Sequence, residues 1–341
     1  MRKIKVLVVE DSAVFREMLV KGLQEDPGVE VVAEAENAFE ARDAIEKHQP
    51  DVMTLDIEMP KMSGIDFLKR LMPQYPMPVI MLSGLNGKVF EAMAAGAVDF
   101  VHKPMNLSPV NVKEFIRQEL ITKVKVAASV DVGKLMRRER VHPVREVRLT
   151  PHNCVVAIGA STGGPEAIKE VLGGFGTDIP GVVIVQHMPP GFTNSYAERL
   201  NRLCAIEVKE AEDGDEVKQG RALLAPGAKQ MRLVKKDLRY FVSVKEEPKV
   251  SGHCPSVDVL FDSVAKEAGA GAIGVILTGM GGDGSKGMKE MRNCGAVTIG
   301  QDEETCVVYG MPKVAYDIGA VTHQLPLENI ADKVYDILSR A

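Results

Sequence analysis

Residues 51–68 read DVMTLDIEMPKMSGIDFL, an apolar run closed by Asp56 that reads as a strand, with a helical pattern following it. The same alternation recurs on both sides. Before it come IKVLVV (4–9), a helix through Phe15, Met18, Leu19 and Leu23, then VEVVAEA (29–35) and a further helix. After it come PVIMLS (78–83), a helix around 90–95, DFVHKP (99–104) and an apolar-periodic segment at 110–120. Apolar runs alternating with helical periodicity predict a parallel, doubly wound α/β sheet. Five strands with five crossovers make a complete small domain, assigned here to residues 1–122.

Residues 123–150 break the pattern. They include the basic run KLMRRERVHPVREVRLTP (134–151), with a short helix near Lys134, and read as a solvated interdomain linker rather than a nucleic-acid patch. Periodicity resumes with NCVVAIGAS, PGVVIVQH, RALLAP, a hairpin at 231–244 and GAIGVILTG. A second α/β domain with an antiparallel hairpin is therefore expected over residues 151–341.

Composition narrows the function. A chain of 341 residues with 45% hydrophobic content has length for two cores. No stretch approaches the roughly 18 apolar residues of a membrane span. Five cysteines without a C-x-x-C pair suggest neither a disulfide framework nor a zinc ribbon, and a reducing cytoplasm fits best. Against 42 basic side chains stand 47 acidic ones, a net charge of -5 that gives no drive toward nucleic acid or anionic lipid. Without tryptophan and with 5% aromatic residues, stacked-base recognition is disfavoured. The expected partner is a protein or a small molecule.

In the first domain, Glu10 and Asp11 close the first strand and Asp56 the third. Strand ends of an open parallel sheet converge on one crevice. Three carboxylates there call for a hard divalent cation, and oxygen-only ligation suits Mg²⁺. Ser83 ends the fourth strand and Lys103 the fifth. Such a site can use Asp56 as a nucleophile toward a phosphoryl group, with Mg²⁺ and Lys103 neutralising the charge. Loop capping would explain one strand-end acid, but it explains five placed groups poorly. The segments VEDSAVFR, DVMTLDIEMPKMSGIDFL, MLSG and DFVHKP resemble the signatures of two-component receiver domains over residues 3–120. The resemblance implies a flavodoxin-like (βα)5 fold, Mg²⁺ held by Glu10, Asp11 and Asp56, and phosphorylation of Asp56 by a histidine kinase as phosphodonor. It also implies switch roles for Ser83, Phe100 and Lys103. Glu10 stands where many receivers carry Asp.

In the second domain, VVAIGASTGGPEAIKEVL (155–172) reads as strand, tight turn and helix, with Pro165 suited to the first helical turn. Ser161 lies at the strand end, His187 ends VVIVQH, and Asp283 follows AIGVILTG. A hydroxyl, an imidazole and a carboxylate after three strands of one sheet can meet at its carboxyl edge. His187 would then take the Ser161 proton and Asp283 would orient the imidazole. Glycine-rich turns offer oxyanion donors, with the Met280 amide the candidate. Taken singly, each residue has a plainer role, as helix N-cap, core histidine or turn former. Gly159 to Gly163 matches the G-x-S-x-G elbow, but the α/β-hydrolase order is serine, acid, histidine, and here His187 precedes Asp283. Residues 279–284 also fit G-x-G-x-x-G, with Glu303 and Glu304 about 20 residues on. Against a dinucleotide site, Asp283 would sit among the amides that must receive pyrophosphate.

The segments IGASTGGPEAI, QHMPPGFT and LTGMGGDG resemble the hallmarks of the chemotaxis protein-glutamate methylesterase family, whose order of receiver, linker and esterase covers the whole chain. The resemblance implies a doubly wound parallel catalytic domain that hydrolyses glutamate γ-methyl esters on the cytoplasmic helices of chemoreceptors, releasing methanol. It assigns the triad to Ser161, His187 and Asp283, with Thr162 beside the serine, and implies no cofactor for the esterase step. Some members also deamidate receptor glutamines. A monomer is expected, with no nucleic acid partner and no membrane insertion. Regulation is expected from the receiver covering the Ser161 cleft until Asp56 is phosphorylated. The rival reading is a phosphorylation-switched binding protein, which would not need all three triad residues. An esterase for small metabolites is a closer rival and would want an enclosed apolar pocket.

Overall fold

A computed structural model describes residues 2–84, 87–135 and 154–340. The chain divides into two compact units, Met1–Arg137 and Arg138–Ala341.

The first unit has five strands, β1 (Ile4–Val9), β2 (Val29–Ala35), β3 (Val52–Asp56), β4 (Val79–Ser83) and β5 (Asp99–His102). They form one parallel sheet in the order β2-β1-β3-β4-β5. The helices are α1 (Ala13–Gln24), α2 (Ala38–His48), α3 (Gly64–Leu71), α4 (Val89–Ala94), α5 (Pro109–Phe115), α6 (Ile121–Ala127) and α7 (Val132–Leu135). β3 and β4 are buried at every position because helices cover both faces, which is why they read as unbroken apolar runs. Strand β2 is half exposed. Local sequence starts the helices. Ser12, Asn37, Ser63 and Ser108 each accept a hydrogen bond from an amide of the first turn. A single π-turn, Ile116–Leu120, joins α5 to α6. Helix therefore continues past residue 122, where rising charge had suggested a linker. Its apolar side (Ile116, Leu120, Val124) stays buried while Lys113 and Lys125 pair with Glu25 and Asp26 of the unit. The helix near Lys134 is present as α7, and the arginine run at 136–150 lies outside the described residues.

The second unit has β6 (Val155–Ala160), α8 (Gly164–Gly173), β7 (Gly181–Gln186), α9 (Phe192–Leu203), β8 (Glu207–Glu210), β9 (Glu216–Val217), β10 (Arg221–Leu224), β11 (Gln230–Lys236), β12 (Arg239–Lys245) and α10 (Val257–Ala268). It continues with β13 (Ala272–Ile276), α11 (Ser285–Asn293), β14 (Val297–Gln301), α12 (Met311–Asp317), β15 (His323–Leu325) and α13 (Ile330–Leu338). Seven strands make a parallel sheet in the order β15-β14-β13-β6-β7-β10-β8. The antiparallel hairpin pairs Gln230 with Lys245 through Lys236 with Arg239, and β9 adds to it. The hairpin's Met231, Leu233, Tyr240 and Val242 pack with Val257, Leu260, Phe261 and Val264 of α10 in one core. The chain leaves β6 on one side through β7 and returns on the other at β13, so the strand order reverses at β6, the place where open α/β sheets bind ligands. Among the described residues no helix is long and apolar enough to cross a membrane.

Candidate active site

Three loops meet at the carboxyl edge around β6. Gln186 stands opposite Ala160 in the β6–β7 register, and Gly159 opposite Ile276 in β6–β13. Ser161, His187 and the 277–284 loop therefore leave neighbouring strands at one level. The turn after β6 is held from below. The Ser161 amide donates to Thr278 O at 3.0 Å, Gly164 N to Ser161 O at 2.7 Å, and Gln186 Nε2 to Ser161 O at 3.0 Å. Thr278 also donates its hydroxyl to Thr162 O and receives Val308 N. The two loops touch at Gly279, where a Cβ would lie 2.6 Å from Ser161 Cβ and 2.5 Å from Met311 Sδ, so only glycine fits.

His187 Nε2 lies 2.7 Å from Asp283 Oδ2. Asp283 is buried and seated on the start of α10. Ser256 Oγ and Asp258 N donate to Oδ1 at 2.7 and 3.1 Å, and Val257 N donates to Oδ2 at 2.7 Å. Burial opposes its charge, but the His187 hydrogen bond and charge, with the Ser256 and Val257 donors, hold the carboxyl down at about 2. A helix N-terminus is a ready anion site, and here the anion is the chain's own. With Asp283 ionised, Nε2 carries the imidazole proton and Nδ1 the lone pair. Among the described residues His187 Nδ1 is buried without a hydrogen-bond partner and Ser161 Oγ donates to no group. Catalytic hydrogen bonds of this kind commonly close only with substrate in place. Thr162 is buried beside Ser161; Met280 is 45% exposed at the rim, and its amide donates to no group among the described residues.

Asp283 engages both oxygens with His187 and the start of α10, and an ionised carboxylate within the 279–284 loop disfavours a pyrophosphate there, against the dinucleotide reading. Cysteine is no rival nucleophile at Cys154 or Cys204, since burial pushes both thiols up to about 11.

In the first unit the acidic cluster forms at the β1/β3 switch point. Glu10, Asp11 and Asp56 bring one oxygen each within 4.8 Å of one another. Lys103 Nζ lies 2.8 Å from both Glu10 Oε2 and Asp56 Oδ1. Burial, then the Asp56 charge, raise Glu10 to about 7, and burial raises Asp56. For Lys103 burial opposes the charge, but Asp56 and Glu10 outweigh it and hold the ammonium protonated. Burial keeps these acids raised even with the Lys103 ammonium beside two of them, and three hard oxygens are a donor set suited to Mg²⁺. Ser83 is fully buried at the end of β4. Phe100 is 4% exposed and meets Phe90 edge to face at 6.2 Å.

Sequence reasoning missed Ser256, Thr278, Gln186 and His253. Only Ser256 carried a signal, as a serine before the apolar run VDVLF. The others act on backbone groups or on a ring brought near by folding.

The family model described as CheB methylesterase matches residues 156–334, and that described as response regulator receiver domain matches residues 6–125. A protein-glutamate methylesterase/protein-glutamine glutaminase 2 of Syntrophomonas wolfei is 55% identical over 340 residues, covering 100% of this chain and 99% of that relative. The Salmonella typhimurium protein-glutamate methylesterase/protein-glutamine glutaminase is 46% identical, covering 98% and 97%. The crystal structure of the Thermotoga maritima CheB methylesterase catalytic domain matches with a TM-score of 0.53 at 40% identity, over 54% of this chain and 98% of that one.

Proposed function

The chain belongs to the CheB methylesterase family, with a receiver domain ahead of the esterase domain, and from this we propose that Ser161, His187 and Asp283 hydrolyse glutamate γ-methyl esters on chemoreceptors. The observation that carries the residue assignment is the 2.7 Å pair of His187 with an ionised Asp283 at the strand edge that bears Ser161.

The steps follow from that pair. Ser161 Oγ attacks the ester carbonyl carbon while its proton passes to His187 Nδ1. Asp283 stabilises the imidazolium through Nε2–H. The Met280 amide faces the oxygen that gains charge, a donor of a kind worth roughly 10²–10³ in rate, and Thr162 supports the turn. His187 returns the proton to the methoxy oxygen as the carbon–oxygen bond breaks, and methanol leaves. Water, deprotonated by the same nitrogen, then frees the glutamate and Ser161. On a glutamine side chain the same steps release ammonia, the second activity in the relatives' names. The groups named require no cofactor for this chemistry.

Control of the rate is assigned to the first domain. Asp56 would take a phosphoryl group from a histidine kinase. Glu10, Asp11 and Asp56 would hold Mg²⁺, which when bound neutralises phosphoryl oxygens. Lys103 would balance the remaining charge, Ser83 would reach the phosphoryl group, and Phe100 would repack in response. A receiver domain whose helix runs on past residue 122, a linker that carries the basic run, a catalytic domain at 151–341, a cytoplasmic location beside the receptor helices and a monomeric enzyme complete the reading.

The test is release of labelled methanol from methylated chemoreceptor membranes. Wild-type protein is expected to release it and Ser161→Ala, equally folded, to give only background. Equal release by both would overturn the assignment.

A further inference from the structure

Above the His187 ring lies a second imidazole that the mechanism does not use. The ring of His253 is stacked on that of His187, with centroids 3.6 Å apart and planes 5° from parallel. The strap between β12 and α10 that carries it is pinned at several points. Val250 and His253 exchange both backbone hydrogen bonds, Gln230 Nε2 donates to Pro248 O and His253 O, and Ala228 N donates to Cys254 O. Gln230 is fully buried, and its Oε1 also receives Ser256 N, the residue whose hydroxyl holds Asp283. One buried side chain thus fixes both the ring over His187 and the start of the helix that holds Asp283.

We propose that His253 is a positioning residue for the hydrolysis. Stacked face to face on His187, it keeps that ring in the plane where Nε2 meets Asp283 and Nδ1 is left for the Ser161 proton, and it shields the ring face from water. The inference rests on the esterase reading above. A single hydrogen bond to Asp283 leaves the His187 ring free to swing about it, and a parallel ring at contact distance removes that freedom. The charged groups facing His253 are His187, Asp283 and, in its own strap, Lys249. Burial, then His187, hold His253 down at about 4, with Asp283 acting against them. Two cationic imidazoles at this spacing would repel, so His253 stays neutral and the proton taken from Ser161 goes to His187. The neutral π-face also favours the imidazolium that forms beneath it.

The experiment measures methanol release from methylated receptor membranes against substrate concentration, using full-length wild type, His253→Ala and His253→Phe, all with phosphodonor. His253→Ala is expected to lose about 10- to 100-fold in kcat with little change in KM, as ring misplacement predicts. His253→Phe restores the flat ring and should lie within about threefold of wild type in kcat. An alanine variant with wild-type kcat would overturn the proposal. So would a folded phenylalanine variant as poor as the alanine one. If His253→Ala does not fold, His253→Leu takes its place with the same expected losses. Ser161-independent release by wild type would instead count against the esterase reading.

Discussion

Asp283 is the residue on which the geometry concentrates, since its two oxygens take four hydrogen bonds from His187, Ser256, Val257 and Asp258. Asp283→Asn is expected to lower kcat by about 10³–10⁴, because an amide that donates to His187 enforces the wrong tautomer; methanol release by a folded variant checks it. Neighbouring His253 gives a pH signature in stability. Its folded value of about 4 lies below the ordinary 6.5, so as pH falls the unfolded chain takes up the proton first. The stability contribution is full above pH 6.5, declines between 6.5 and about 4, and is gone below that. The difference in melting temperature between wild type and His253→Phe should therefore shift in favour of the variant as pH falls through this window, and a constant difference would contradict it. Asp283 is depressed from 3.8 to about 2. It contributes stability above 3.8 that is lost as pH falls to about 2, outside the His253 window. At this scale the placing of Ser161, His187 and Asp283 at one sheet edge was legible because each lies in the loop after an apolar run. His253 and Gln186 were not, since nothing local marks a side chain whose partner lies in another loop.

Elements are held to these residues by close backbone approach. A Cβ on Gly64 would lie 1.9 Å from Asp56 O, so the start of α3 can rest on the end of β3 only with glycine there. Gly64→Ala is expected to destabilise the first domain and abolish phosphorylation, while the melting of the second domain stays as in wild type; calorimetry with a phosphorylation assay checks both. Gly279→Ala would push Ser161 aside and should lower kcat by about 100-fold, with circular dichroism unchanged. The fully buried strands β3, β4, β6, β7 and β13 were legible as continuous apolar runs. Short or half-exposed strands such as β8, β9 and β15 were not, because their burial comes from the sheet edge and not from their own pattern. The helix running through 116–127 was cut short in sequence reasoning because charge rises on its exposed side while its apolar side continues.

For the whole molecule the claim is coupling, with a phosphoryl group on Asp56 setting the rate at Ser161. A protein lacking residues 1–150 is expected to be at least as active as the unphosphorylated whole chain, and much lower activity in a folded truncation would refute simple restraint by the first domain. The two-domain plan was legible because an apolar alternation stops and restarts across a basic run, whereas the register that joins three loops into one site came only with the sheet order. The most direct measurement is methanol release from methylated receptor membranes by full-length wild type and Asp56→Asn, each with and without a small-molecule phosphodonor and Mg²⁺. The account predicts that phosphodonor raises release in wild type and leaves Asp56→Asn at its basal rate; an equal rise in both, or none in phosphorylated wild type, would contradict it.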